Sequence, residues 1–290
     1  MADVTFLGVG AMGDALARCT IGGGKDTVIW NRTAGRAEAL ASQGARYVSD
    51  VANAIAESPV VIVCVDDYVA TDSFLKTSAA EEALKDRALV QLSSGSPRLA
   101  RAAHDWAKSV GAEYLDGAIM VFPSGIGTDE ARILIGGDKG AFDKAESILQ
   151  LLAPATKYLG EDPGAASSLD EALLSFVLGA LVGVVNGAAL CEASGTSLKE
   201  YLALLDPSMP GVIGAVLQTA QKIADDDLED TEASLGTWAA TLEYMNETAS
   251  EAGFSNEFPA FTQRLFDRAK DRGLGEHDIA ALIEVLRPST

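Results

Sequence analysis

The chain has 290 residues, of which 48% are hydrophobic, and a formal net charge of −20. This length allows two domains with sizeable cores. The acidic balance excludes a nucleic-acid-binding protein, because there is no basic stripe to displace the counterions of a polyanion. Only two histidines and three widely separated cysteines are present, so we expect neither a metal site nor a catalytic triad. We expect a cytoplasmic protein without a signal peptide.

Up to about residue 160, short β-rich runs alternate with helical stretches. The β-rich runs are 3–8, 26–30, 45–48, 60–65, 88–92, 113–118, 131–136 and 156–159. The helical stretches are 11–20, 34–42, 51–57, 97–110 and 141–152. This alternation predicts an α/β fold with a doubly wound parallel sheet, whose last strands extend one edge.

The first β-rich run leads directly into a glycine motif, Gly8-Val9-Gly10-Ala11-Met12-Gly13. In such a motif the first glycine permits a sharp turn and the second lets a pyrophosphate approach the backbone. The third lets helix and strand pack closely. Free N–H groups and the dipole at the helix N-terminus favour the phosphate charge. The motif and its position predict a dinucleotide-binding domain.

The end of the second strand indicates which dinucleotide is bound. An NAD enzyme usually places an acid there for the ribose hydroxyls, but this chain has Asn31, followed by Arg32, Thr33 and Arg36. Guanidinium groups bind a ribose phosphate by charge-assisted hydrogen bonds. We therefore predict NADPH rather than NADH as the cofactor. Further cofactor candidates stand at the ends of later strands: Val65, Asp66, Asp67 and Ser94. Ser94 is equally explained as part of a helix start before Pro97.

After residue 160 the pattern is helical, and Asp162-Pro163-Gly164 is a helix start signal. We predict a Rossmann domain at residues 1–162 and an all-α domain at 163–290. The second domain begins with a helix that runs to about Ser194. The middle of this helix, residues 172–191, contains no charge. A membrane span is one interpretation. The acidic flanks favour instead a soluble homodimer in which the helix packs on a second subunit.

Asp170 is an unusual residue within this helix. It lies too far from the helix start to serve as a cap, and no lysine or arginine stands within four positions of it. If it faces a cleft, partial burial raises its pKa and makes it a candidate proton donor. If it faces water, it is a solvated acid beside Glu171. The residues alone leave both possibilities open.

The whole chain resembles the imine reductases, an NADPH-dependent branch of the β-hydroxyacid dehydrogenase and 6-phosphogluconate dehydrogenase-like superfamily. The matching stretches are the glycine motif and 28–33, 114–120, 162–164, 169–174 and 281–287. The resemblance implies two domains joined by the long helix and two interlocked subunits with shared clefts. It also implies that Asp170 stands where the family places an acid or tyrosine opposite the nicotinamide.

The predicted reaction is reduction of a small, cyclic imine to an amine by NADPH, with Asp170 as proton donor or as a carboxylate that stabilises an iminium. The predicted substrate pocket consists of Ser94, Met120, Phe122, Leu174, Leu178, Trp238 and Tyr244. Residues 164–174 contain no lysine, whereas the hydroxyacid dehydrogenases of the same superfamily generally carry one at the start of this helix. Many members that couple ketones with amines have asparagine where this chain has Ser94, and a tyrosine near Leu178. Their absence here argues against efficient reductive amination.

Two other functions stay open. One is a hydroxyacid-type dehydrogenase with an altered substrate loop, and the other is a non-catalytic NADPH-binding protein.

Overall fold

A computed structural model describes residues 1–288. It contains one sheet of eight strands in the order β3-β2-β1-β4-β5-β6-β7-β8. Neighbouring strands are parallel, except that β6 and β7 are antiparallel. The strands are β1 (Val4–Leu7), β2 (Thr27–Trp30), β3 (Arg46–Tyr47), β4 (Val60–Val63), β5 (Ala88–Gln91), β6 (Glu113–Ile119), β7 (Ile133–Gly137) and β8 (Lys157–Tyr158). The predicted doubly wound sheet, with its extended edge, is confirmed.

Helices cover both faces of this sheet. They are α1 (Ala11–Gly22), α2 (Ala34–Ala41), α3 (Val51–Ala56), α4 (Tyr68–Leu75), α5 (Ser78–Leu84), α6 (Pro97–Ser109) and α7 (Lys139–Leu152). Alternate residues of each central strand enter opposite cores: Val60 and Ile62 pack with α1, α2 and α7, whereas Val61 and Val63 pack with α3 to α6. Burial on both faces explains why these strands are continuously apolar. The sequence did not predict α4 and α5.

The remaining helices are α8 (Gly164–Ala193), α9 (Leu198–Asp225), α10 (Leu235–Ala252), α11 (Glu257–Asp271) and α12 (Ile283–Leu286), with a 3₁₀ turn at Ile279–Leu282. Within the part of the chain that the structure describes, no strand follows β8. Helix α8 begins where the sequence predicts, because Asp162 accepts a hydrogen bond from the Gly164 N–H at 2.9 Å. The predicted helix end at about Ser194 is confirmed to within one residue.

The chain forms two compact units, Met1–Ser175 and the segment from Phe176 onward. The second unit has its own apolar core, formed by side chains of α10, α11 and the C-terminal turns: Leu235, Ala239, Leu242, Phe266, Ala269, Ala281 and Val285. The division falls inside α8, whereas the sequence places the domain boundary at its start. The boundary between residues 162 and 163 stays a prediction.

Helix α8 exposes an extended apolar surface. Its most apolar stretch of eighteen residues has a mean hydropathy of 2.1, none of it is buried, and by length and composition alone it is able to cross a membrane. One such helix is weak support for a membrane span, since helices covered by another subunit have the same composition. Helix α9 also buries none of its side chains. An exposed apolar area of this extent indicates an interaction surface.

Candidate active site and cofactor groove

The turn between β1 and α1 has the geometry of a phosphate-binding loop. Gly8 has φ +101°, and a Cβ there would lie less than 3.0 Å from the Cys64 carbonyl oxygen. A Cβ on Gly13 would lie equally close to the Gly8 carbonyl oxygen, whereas a Cβ on Gly10 would meet no atom within 4 Å. The outer two positions thus require glycine for the fold. The middle position keeps space free in front of the backbone, where a ligand group can approach.

This turn lines a groove, and the start of α2 lines the same groove. No side chain caps the N-terminus of either α1 or α2, so both helices offer free N–H groups and a positive dipole end to an anion. Two arginines stand at the α2 end of the groove. The lining residues are Gly8, Gly10, Ala11, Met12, Gly13, Trp30, Asn31, Arg32, Thr33, Arg36, Cys64, Val65, Asp66, Ala70 and Phe74. The groove therefore fits a dinucleotide with a phosphate on its ribose.

Asn31 uses both ends of its amide within the chain. Its Oδ1 accepts a hydrogen bond from the Val9 N–H at 3.1 Å, and its Nδ2 donates to the Thr33 carbonyl oxygen at 2.8 Å. The side chain thus connects the glycine turn to the residues that start α2. An acid here would lack the donor to Thr33 and would add a negative charge to the phosphate end.

A second pocket adjoins this groove and shares Met12, Cys64, Val65 and Asp66 with it. It lies at the carboxyl ends of β4, β5 and β6 and extends to the first turns of α8. Its other lining residues are Leu92, Ser93, Ser94, Gly95, Gly117, Ala118, Ile119, Ser167 and Asp170. The two pockets form one continuous groove at the edge of the sheet where ligands bind in doubly wound folds.

Two predicted cofactor residues have structural partners at this edge. The Asp67 carboxylate accepts a hydrogen bond from the Ala70 N–H at 2.7 Å and caps α4, and Asp67 pairs with Ser94 in a short parallel bridge. The Val65 N–H donates to the Ser93 hydroxyl at 3.0 Å. These contacts connect the loops after β4 and β5, which form one wall of the second pocket.

Asp170 lines the second pocket from α8 and is partly buried. Burial raises the pKa of its carboxyl, and the neighbouring charge of Glu171 adds to the increase. Among residues 1–288, no side chain or backbone group donates a hydrogen bond to this carboxyl. Asp170 is therefore free to interact with a ligand in the pocket, and its raised pKa favours the protonated form.

Asp116 is a functional candidate that the sequence interpretation missed. It lies on β6 next to Gly117, which lines the second pocket, and is 1% exposed. Its Oδ1 accepts hydrogen bonds from the hydroxyls of Tyr68 and Tyr114, and its Oδ2 accepts one from Ser167 at 2.6 Å. Burial raises the pKa of Asp116 to about 6. The available signal was an acid in the middle of the strand, between Leu115 and Gly117.

Most of the residues predicted to line the substrate pocket are not among those that line the second pocket. Met120 follows β6 and packs beside Ala118, whereas Phe122 is 85% exposed; neither residue, nor Leu174, is among those that line the second pocket. Leu178 on α8, and Trp238 and Tyr244 on α10, belong to the second unit and have exposed side chains. That these residues belong to the substrate pocket stays a prediction.

Comparisons with known proteins cover nearly the whole chain. Residues 3–160 match the NAD binding domain of 6-phosphogluconate dehydrogenase, and residues 162–288 match the C-terminal domain of NADPH-dependent reductive aminase-like proteins. An NADPH-dependent reductive aminase of Aspergillus oryzae is 32% identical over 98% of this chain and 97% of its own length.

Solved structures agree with this result. The imine reductase from Myxococcus stipitatus in complex with NADP⁺ matches with a TM-score of 0.95 and 34% identity, covering 98% of this chain and 99% of that one. The reductive aminase from Aspergillus terreus, in complex with NADPH4, cyclohexanone and allyl amine, matches with a TM-score of 0.90 and 34% identity over 99% of this chain and 100% of that one. The chain belongs to the family of NADPH-dependent imine reductases and reductive aminases.

Proposed function

We propose that this protein reduces the C=N bond of small imines to amines with NADPH, and that Asp170 is the acid group at the reacting nitrogen. One observation carries the proposal. A partly buried carboxyl without a hydrogen-bond donor lines a pocket that is continuous with a dinucleotide groove. This arrangement places a single acid beside the position where a cofactor and a substrate meet.

The residues of the groove fit NADPH along its length. The N-terminus of α1 would hold the pyrophosphate, and the N-terminus of α2 with Arg32 and Arg36 would hold the ribose phosphate. The loops after β4, β5 and β6 would hold the nicotinamide half. When bound, NADPH supplies the hydride.

Asp170 has one of two roles in the reaction. As the acid, it donates a proton to the imine nitrogen while the carbon receives the hydride, which yields the neutral amine and leaves a carboxylate that takes its next proton from water. As a carboxylate, it stabilises a substrate that arrives as an iminium. Burial raises the pKa of Asp170, which is the direction that the first role requires.

The walls of the second pocket favour an imine over a hydroxyacid. Apolar side chains of Leu92, Ala118 and Ile119 contribute to these walls, and none of the described lining residues is a lysine or arginine. A substrate carboxylate would therefore find no cation, whereas an apolar ring would find a matching surface. This composition argues against the hydroxyacid-type dehydrogenase.

We also propose that a second copy of the chain covers the apolar surface of α8. Side chains such as Leu181 and Val185, which lie four positions apart on one helix face, are 57% and 69% exposed. Leaving a surface of this size in water is unfavourable, so a homodimer explains it better than a monomer.

The dimer is tested with the double variant Leu181→Glu/Val185→Glu. We expect wild type to sediment as a dimer of 30.1 kDa chains and the variant to sediment as a monomer. Val69, an apolar residue of α4 that is 78% exposed, provides the matched control as Val69→Glu. A monomeric wild type would overturn the dimer.

The activity is tested by following NADPH absorbance with a methyl-substituted pyrroline, and NADP⁺ reduction with small 3-hydroxyacids. We expect turnover of the imine, and slower turnover when a ketone and an amine replace the preformed imine. Turnover of hydroxyacids alone would establish the dehydrogenase instead. A lack of turnover with a broad panel of both classes would favour a non-catalytic NADPH-binding protein.

A further inference from the structure

Asp116 is buried without a cation beside it. Within residues 1–288, no lysine, arginine or histidine forms an ion pair with its carboxylate, and the three donors to it are neutral hydroxyls. Burying an acid in this way is costly even when it is hydrogen-bonded. Such a residue next to a pocket indicates a role beyond stability.

One oxygen of Asp116 binds the helix that carries the proposed acid. Ser167 donates its hydroxyl to Oδ2 at 2.6 Å, across 51 residues of sequence. Ser167 and Asp170 are three positions apart on α8, so their side chains are neighbours on the helix surface, and both line the second pocket. The Asp170 carboxyl itself has no donor among the described residues, so its position depends on how the first turns of α8 are held.

The other oxygen of Asp116 accepts a hydrogen bond from a different helix, α4. Tyr68 donates its hydroxyl to Oδ1 from the first turn of α4. The Tyr68 ring packs so closely on Gly95 that a Cβ at Gly95 would lie less than 3.0 Å from ring atoms. Gly95 and its neighbour Ser94 line the second pocket. One buried carboxylate is thus connected to two elements that line the same pocket, to α8 through Ser167 and to the loop after β5 through Tyr68.

We propose that Asp116 is a positioning residue for the reduction. Through Ser167 it holds the part of α8 that presents Asp170, and through Tyr68 it holds the loop that contains Ser94 and Gly95. This inference rests on the proposed function, because it gives Asp170 the role of the reacting acid. Asp116 lies next to the pocket and acts through its neighbours rather than on the substrate.

The charges around the two acids provide a second connection between them. The titratable groups that face Asp116 are Tyr68 on α4, Tyr114 on β6 and Asp170 on α8, and the charge of Asp170 contributes to the raised pKa of Asp116. The raised pKa of Asp170 has its own causes, namely burial and the neighbouring charge of Glu171. Asp170 is therefore the charged neighbour while Asp116 titrates.

The kinetic test uses Asp116→Asn and Ser167→Ala. Ser168→Ala is the matched control, because the Ser168 hydroxyl donates to the Gly164 carbonyl oxygen of its own helix at 2.8 Å and does not touch Asp116. With a methyl-substituted pyrroline at saturating NADPH, we expect kcat to fall about tenfold or more in both test variants. The NADPH dissociation constant, measured by fluorescence, changes by less than about threefold. Ser168→Ala keeps the wild-type kcat.

A second measurement does not depend on turnover. In protein labelled with ¹³C at the aspartate carboxyls, the Asp116 resonance is the one that disappears in Asp116→Asn. We expect the titration midpoint of Asp116 to move to lower pH by about half a unit in Asp170→Asn, because a negative neighbour is removed. An unchanged midpoint would overturn the interaction between the two acids, and a wild-type kcat in both test variants would overturn the positioning role. A wild type that reduces no imine would overturn the proposed function, and the midpoint would then decide the contact between the two acids by itself.

Discussion

The two ends of the groove in the first unit offer different chemistry to a ligand. At the phosphate end the chain presents mostly backbone, namely the glycine turn and the uncapped starts of α1 and α2, with two arginines beside them. At the other end it presents side chains, including two serines after β5, Ser167 and Asp170. The first end is built to hold a constant anionic group, whereas the second is built to place a proton and a substrate.

This difference sets how each end responds to substitution. Backbone recognition depends on steric space, so a single added carbon is enough to damage it. Side-chain chemistry depends on one functional group and on its environment, so substitutions there change rates and proton affinities more than folding.

The largest effect is expected at Gly13. Because an added Cβ would press against the Gly8 carbonyl, Gly13→Ala should lower the free energy of unfolding by more than about 3 kcal/mol. Gly10→Ala is the matched control for folding and should change it by less than about 1 kcal/mol while weakening NADPH binding at least tenfold. Urea denaturation and fluorescence titration measure the two quantities. Wild-type NADPH affinity in Gly10→Ala would show that the pyrophosphate does not approach this turn.

The next largest effect is expected at the end of the groove that contains Asp170. Asp170→Asn removes the proton but keeps the shape, and kcat for a neutral cyclic imine should fall about 100-fold. An N-methylated iminium salt needs no proton, so its reduction should fall less than tenfold if Asp170 is the donor. Steady-state rates with both substrates decide between the two roles. Equal losses would assign the carboxylate to iminium stabilisation, and unchanged rates with both would remove Asp170 from the mechanism.

A smaller effect is expected from the arginines at the phosphate end. Arg32→Ala and Arg36→Ala should each lower the ratio of kcat/KM for NADPH to that for NADH about tenfold, because each removes a charge-assisted contact to the ribose phosphate. Arg18→Ala is the control, since Arg18 is paired with Asp14 on the outside of α1. An unchanged ratio in both test variants would show that neither guanidinium contacts this phosphate.

The two ends of the groove also differ in how well the sequence predicts them. The glycine turn and all eight strands were predictable, because spacing and continuous apolar runs are local properties. Helices α4 and α5 were missed although, with eight and seven residues, they are similar in length to the predicted α2 and α3. Their caps, Asp67 and Thr77, were local signals of a helix start.

At the end of the groove that contains the two acids, only Asp170 was predictable from the sequence. Asp170 stood out because no partner is near it in sequence, whereas Asp116 was hidden within a strand. The bond between Asp116 and Ser167 spans 51 residues and the bond to Tyr68 spans 48. Sequence periodicity does not predict hydrogen bonds between residues so far apart in the chain. These bonds form only when α4 and α8 pack on the sheet.

The smallest effect concerns the stability contribution of Asp116. Its pKa of about 6 in the folded chain lies above the ordinary aspartate value, so the folded state binds this proton more tightly than the unfolded state. Wild type therefore loses stability as the pH rises toward the folded pKa, and Asp116→Asn does not undergo this loss. We expect the stability of Asp116→Asn relative to wild type to improve by about 1 kcal/mol from about pH 5 to about pH 7, as measured by urea denaturation at each pH. Asp129→Asn provides the control, because the same substitution at this exposed position removes no buried charge. A difference that is constant over this range would mean that Asp116 does not titrate there, and the two ends of the groove would then differ in geometry but not in their response to pH.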